Sequence, residues 1–129
     1  MRSIVCIKRV PDSEARLRIA ADGLAIDSSG VKFSMNPYDE FALEEALRLK
    51  EKFGEGSVTA VTVGPDAARE TLRSALAMGA DEGVLLRSAG SHDGLAVARA
   101  LADEIATREY DLILFGKQAI DDDGMQVPA

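Results

Sequence analysis

Residues 111–126 read DLILFGKQAIDDDGMQ: a short apolar run, Leu112 to Phe115, passes straight into a glycine-led loop with aspartates at 121, 122 and 123. An apolar run of this length bounded by turn residues suits a strand buried in a parallel sheet. The crevice beyond the carboxyl end of such a strand is where α/β proteins bind ligands, so the loop is the first candidate for a site.

Working outward, the chain alternates strand and helix periods in the manner of βαβ units. Ser91 or Asp93 can open a helix with Val97, Leu101 and Ile105 on one face, and Val84 to Leu86 form the strand before it. Gly64-Pro65 opens a further helix with Ala68, Leu72, Ala75 and Leu76 as its apolar members and Gly79 as its cap. VTAVTV, residues 58–63, is rich in β-branched residues and suits a strand covered on both faces. Ahead of it, Ala42, Ala46, Leu49 and Phe53 make one helical stripe, widened by Leu43 and Leu47. Asn36 is placed to cap that helix and Pro37 to occupy its first turn. Ile4 to Ile7 is another short buried strand. ARLRIA and GLAID around Asp22-Gly23 predict a small hairpin or excursion at the sheet's edge. Parallel strands joined by right-handed crossovers all finish on one rim, which collects Lys8, Arg9, Gly64-Pro65, the turn after Leu86 and Gly116-Lys117.

Composition narrows the function classes. At 129 residues the chain suits one domain, able to bury about two-thirds of the surface its unfolded form exposes. The formal charge of −7 without a lysine-arginine cluster disfavours nucleic acid as a partner. Met1, Arg2 and Ser3 lead directly into a strand, with no signal-peptide pattern, so a cytoplasmic location is expected. No apolar run has the roughly 20 residues of a membrane helix, so no membrane insertion is expected. The single Cys6 excludes an intrachain disulfide, and any electron chemistry must belong to a bound cofactor.

A rim of glycine-containing turns allows close backbone approach, and successive amides there can nest an anion. Carboxylates facing a phosphate would repel it. The three aspartates are therefore expected to point away, to hydrogen-bond the loop's own amides or to recruit a magnesium ion, if they are more than a solvated turn.

GKQAIDDD after a buried strand resembles the nucleotide loop of the electron-transfer flavoprotein small (beta) subunit. IVCIKRVPDSEARLRI, MNPYDEFALEEALRLKE and VGPDAARETLRSALAMGAD are similar to that family's segments in order and spacing, and together they cover essentially the whole chain. The resemblance implies a three-layer α/β fold of the adenine-nucleotide-binding, universal-stress-protein-like type, truncated after its fourth main strand. It also implies a heterodimeric electron carrier rather than an enzyme. In that carrier FAD is held mainly by the large (alpha) subunit, electrons arrive from acyl-CoA or other dehydrogenases, and a quinone reductase or another acceptor receives them. This chain would hold AMP or, in the bifurcating branch, a second FAD.

Carried over residue by residue, the resemblance places at the cofactor Cys6, then Asn36, Pro37, Tyr38 and Asp39 at the helix entrance, and Val63 on the second strand. It adds the loop of Gly116, Lys117, Gln118, Ala119, Ile120, Asp121, Asp122, Asp123, Gly124, Met125, Gln126 and Val127. Cys6 and Val63 would contact it chiefly through the backbone, because neither side chain makes strong neutral hydrogen bonds. The AMP-type pattern continues IDDD with a small residue and then Asn-Gln-Thr-Gly, where this chain has Gly124, Met125, Gln126, Val127 and Pro128. Gln-Val-Pro is closer to many bifurcating-type loops, which often have glycine in place of Asp122, so AMP and FAD both stand. The resemblance further implies a longer subunit with a fifth strand and a docking arm, and weak or absent nucleotide binding by these 129 residues alone.

Other residues read more simply. His92 lies in a polar turn without metal-ligand neighbours and reads as a solvent-exposed helix start. Lys8 and Arg9 are equally consistent with contact to a phosphate or a partner subunit and with solvation. Cys6 reads as an inert core thiol, and Met35, Met78 and Met125 as packing. Tyr38 is either a helix staple or, by the resemblance, a contact toward the large subunit's flavin. No nucleophile-base pair is present. An alternative from a different class is a free-standing ATP- or AMP-binding module similar to universal stress proteins, but acids follow Gly116-Lys117 where those display Gly-Ser or Gly-Thr. A further alternative is an assembly subunit that has lost its nucleotide.

Overall fold

A computed structural model describes residues 1–129. Its main strands are β1 (Arg2–Cys6), β6 (Ser57–Gly64), β7 (Glu82–Arg87) and β8 (Leu112–Phe115). Between β1 and β6 lie β2 (Arg9–Pro11), β3 (Arg18–Ile19), β4 (Ile26–Asp27), β5 (Phe33–Met35) and helix α1 (Pro37–Phe53). Helix α2 (Arg69–Met78) joins β6 to β7, and α3 (Gly94–Ala106) joins β7 to β8.

The main strands form one parallel sheet in the order β7-β6-β1-β8. Alternate strand residues face opposite ways, and the core divides accordingly. Val5, Ile7, Val58 and Ala60 pack with Ala42, Leu43 and Ala46 of α1 and Leu72 and Ala75 of α2. Ile4, Cys6 and Val61 pack on the other face with Leu101 and Ile105 of α3. Helices thus cover both faces, as the run of apolar residues in each strand requires. Leu43 is completely buried, which is worth about 1.5–3 kcal/mol relative to exposure.

Local chemistry sets the helix ends. Pro37 occupies the first turn of α1, and Gly54 stops the helix at φ 72°, where its amide meets the carbonyls of Lys50 and Glu51. Asp93 caps α3 through the Ala96 amide at 2.8 Å. A short 3-10 turn, Asp66–Ala68, precedes α2.

Three details depart from the sequence reading. The predicted hairpin forms as β3–β4, but it sits inside a second antiparallel pair, β2–β5, whose three-residue strands show no periodicity. Arg9 stacks 3.6 Å over the Phe33 ring in that pair. Phe53 and Leu76, at 54% and 43% exposure, lie beyond the reach of the sheet although they continue the apolar stripes of their helices.

Candidate functional site

In this strand order the chain leaves β1 toward β6 on one side and returns to β8 on the other, so the crevice between β1 and β8 is the topological switch point. A cavity of about 220 Å³ lies there, walled by the carboxyl ends of β1 and β8, by Val63 of β6 and by the starts of α1 and α3. The segment from Gly116 to Pro128 closes it.

Asn36 and Asp39, both buried, organise the rim from the entrance of α1. The Asp39 carboxylate accepts from the Lys8 amide at 2.8 Å and from the Gly116 amide at 3.0 Å, tying the exits of β1 and β8 together. Burial pushes its carboxyl above the ordinary value, against the pull of those amides, Asn36 and Lys8. Asn36 does not cap α1 with its side chain, contrary to expectation. Its amide group reaches across instead, donating to the Gln118 carbonyl at 2.8 Å and accepting from the Ile120 amide at 3.1 Å. The cap geometry is satisfied by the Asn36 carbonyl alone, which accepts from Asp39 and Glu40.

Gly116 permits this closeness. A β-carbon there would stand 2.4 Å from both Asp39 Oδ1 and the Tyr38 carbonyl carbon, a separation no side chain tolerates. Beyond it the loop is strained: Lys117, Asp123 and Met125 adopt φ of 80°, 49° and 53°. Positive φ at residues other than glycine persists only where surrounding contacts enforce it.

Asp122 takes one expected role, bonding the loop's own amide, while the pairing of Asp121 and Asp122 with Lys8 is not among those the sequence suggests. Asp122 Oδ1 accepts from the Gly124 amide at 3.0 Å, and Asp121 and Asp122 hold the Lys8 ammonium at 2.8 and 3.0 Å. The Gly124 amide in first place, and Lys8 after it, draw the Asp122 carboxyl below its usual range. Burial depresses the Lys8 ammonium, but the two acids outweigh it and leave the group raised. No group of three or more His, Cys, Asp or Glu side chains is arranged to hold a metal ion.

Of the residues carried over by resemblance, Cys6, Asn36, Asp39, Val63, Gly116, Lys117, Gln118, Ala119, Asp122, Gly124, Met125, Gln126 and Val127 line the cavity. Pro37, Tyr38, Ile120, Asp121 and Asp123 do not: Tyr38 faces outward at 42% exposure, and Asp121 points to Lys8. The sequence reading had not placed Ile7, His92, Gly94, Val97, Leu101, Phe115 or Pro128 at the cavity, all of which line it. His92 is exposed at the start of α3, as expected, yet its Nε2 meets Ser88 Oγ on the cavity's edge. The Cys6 thiol, pushed up to about 12 by burial with a contribution from Asp39, is chemically quiet.

The cavity is therefore two-natured. Val63, Val97, Leu101, Phe115 and Val127 offer an apolar wall that suits a flat heterocycle. The amides of Met125, Gln126 and Val127 find no acceptor in the protein and are available to an anion.

Residues 23–129 match a family described as "Electron transfer flavoprotein domain". The chain is 47% identical over 126 residues to "Electron transfer flavoprotein subunit beta" of Bradyrhizobium diazoefficiens, covering 98% of this chain and 51% of that protein. It is 46% identical over 127 residues to the Bos taurus protein of the same name, covering 95% of this chain and 50% of the relative. "Protein FixA" of Azotobacter vinelandii is 48% identical over 133 residues, covering 98% of this chain and 47% of the relative. The chain spans about half the length of the curated relatives it matches.

Proposed function

The chain belongs to the electron transfer flavoprotein family, and on that premise we propose that it is the nucleotide-holding part of the small, or beta, subunit of a heterodimeric electron carrier. Residues 1–129 act as one nucleotide-binding unit beside the large subunit. The assembled protein carries electrons from acyl-CoA or other dehydrogenases to a quinone reductase or another acceptor, in the cytoplasm, through FAD held mainly by the large subunit. FAD, when bound, supplies the redox chemistry; this chain contributes binding and support and is not an enzyme by itself.

The observation that carries this reading is the convergence of Asn36, Val63 and Gly116 on one cavity at the β1–β8 switch point. Its apolar wall suits an adenine ring, and the free amides of Met125 to Val127 suit the phosphate. Asn36 and Asp39 do not serve as ligands in this scheme. They hold the strand exits and the loop's first half, through Ile120, in place before the nucleotide arrives, which lowers the cost of ordering on binding. A cavity of about 220 Å³ lies below the range of about 300–1,000 Å³ usual for ligand pockets, so it seats part of an adenine nucleotide, whether AMP or a second FAD, rather than the whole of either.

The test is the nucleotide content of the protein purified with its large subunit. Acid extraction and chromatography should yield AMP in roughly equal amount to this chain, in addition to the large subunit's FAD. A second FAD without AMP selects the other ligand, and no adenine compound beyond a single FAD overturns the proposal.

A further inference from the structure

Lys8 leaves β1 with both backbone groups held. Its amide donates to Asp39 Oδ2 at 2.8 Å, and its carbonyl accepts from the Asn36 amide at 2.9 Å. The ammonium is therefore presented from a fixed base, and it lines the cavity. From there it donates to Asp121 Oδ1 at 2.8 Å and Asp122 Oδ2 at 3.0 Å.

Those bonds divide the loop in a particular way. Its near half, through Ile120, is fixed to α1 by Gly116 and by both ends of the Asn36 amide. In its far half the remaining hydrogen bonds are internal: Asp123 N to Ala119 O, and Gly124 N to Asp122 Oδ1. Apart from the Asp123 amide's bond to the Ala119 carbonyl within the loop's own turn, the polar ties of residues 121–127 to the rest of the chain are those made by Lys8. This far half carries the strained Asp123 and Met125 and the free amides that line the cavity. Between the Asp123–Ala119 turn and the packing of Val127, its one polar attachment to a distant part of the chain is Lys8, so this strained segment is the one that moves when that attachment opens.

We propose that Lys8 is a latch, whose ion pairs with Asp121 and Asp122 hold residues 121–127 closed and whose release sets how fast a ligand enters and leaves the cavity. A lysine whose charge is already matched by two carboxylates is a poor phosphate ligand, and this separates the latch from direct phosphate binding. The two roles predict opposite signs. Removing the acids opens a latch, but it frees a phosphate-binding lysine to bind better.

The test compares the intact protein with Lys8→Met, with the double variant Asp121→Asn/Asp122→Asn and with the triple variant. Amide hydrogen exchange needs no ligand: the hydrogen-bonded amides of Asp123 and Gly124 should exchange about two- to tenfold faster in either variant than in the intact protein, and no faster still in the triple, with the sheet and α1 unchanged. The ligand arm rests on the adenylate reading and uses fluorescent derivatives of AMP and adenosine. Their dissociation rates should rise by the same factor in both variants, because the loop closes on either compound. Unchanged exchange in Lys8→Met overturns the latch. So does tighter AMP binding by the double variant combined with weaker binding of AMP, but not adenosine, by Lys8→Met. If the wild type binds neither compound, the adenylate reading fails and the exchange arm alone decides the latch.

Discussion

Replacing Asn36 separates a helix cap from a loop brace. By local sequence rules Asn, Asp and Ser are nearly equivalent caps, so Asn36→Ser and Asn36→Asp should leave α1 and the protein's stability almost unchanged. The structure gives a different expectation, because the buried side chain makes no cap bond and instead spans to Gln118 and Ile120 at 2.8 and 3.1 Å. Each of those bonds contributes about 1 kcal/mol net, and partners left without water or a replacement add a desolvation cost of about 1–3 kcal/mol. Asn36→Ala and Asn36→Ser should therefore cost about 2–4 kcal/mol. Asn36→Asp keeps an acceptor for Ile120 but sets a carboxylate oxygen against the Gln118 carbonyl, so it should be no milder. Urea unfolding followed by circular dichroism measures the loss, and hydrogen exchange should show residues 117–126 opening while α1 stays protected. Stability of Asn36→Asp and Asn36→Ser within about 0.5 kcal/mol of wild type would refute the reasoning.

The other expectations concern the same rim. Gly116→Ala places a methyl 2.4 Å from Asp39 Oδ1 and the Tyr38 backbone, so it should cost about 3 kcal/mol or more in a thermal or urea melt, and a loss under about 1 kcal/mol would contradict the packing. Asp122 and Asp81 have carboxyls drawn below 3.8, the first chiefly by the Gly124 amide and the second chiefly by Lys50. Their stabilisation is present above 3.8 and is lost as pH falls through the depressed values, so the protection of the Asp123 and Gly124 amides, relative to their intrinsic exchange at each pH, should fall in acid; protection insensitive to acid counts against the Asp122 contacts. Asp39, raised by burial, contributes with the opposite sign: its share of stability is fullest below 3.8 and declines as pH rises through the elevated value, which a carbon-13 titration of its carboxyl should place above 3.8. Cys6, with its thiol pushed up to about 12, should react with a disulfide reagent at neutral pH only as fast as the protein unfolds, and immediate stoichiometric labelling would contradict its burial.

The parallel sheet and its helices were legible because they obey local periods. Apolar runs mark β1, β6 and β8, and Pro37 and Gly54 punctuate α1 where physics demands. The β2–β5 pair was not legible: strands of three residues carry no period, and what orders them is a long-range pairing with Arg9 over Phe33. Asn36 shows the same limit within the site. Its residue type announces a cap, while its partners lie 82 and 84 residues away and only the closed fold brings them near. Likewise the acidic run hides its counter-charge at Lys8, 113 residues upstream of Asp121. Val97, Leu101 and Phe115 read correctly as apolar, but sequence does not tell a core position from a cavity wall. His92 reached the cavity because α3 begins at its edge, a fact of topology rather than pattern.

The central claim, that the β1–β8 switch point cradles an adenylate, is tested most directly by titrating AMP into the isotope-labelled full-length subunit, assembled with its large subunit and stripped of nucleotide, and following its amide resonances. Shifts confined to Val63, the entrance of α1 at Asn36 to Asp39, and Gly116 to Val127, with the largest at Met125 to Val127, are the predicted result. Shifts centred elsewhere on the surface, or none at saturating AMP, contradict it.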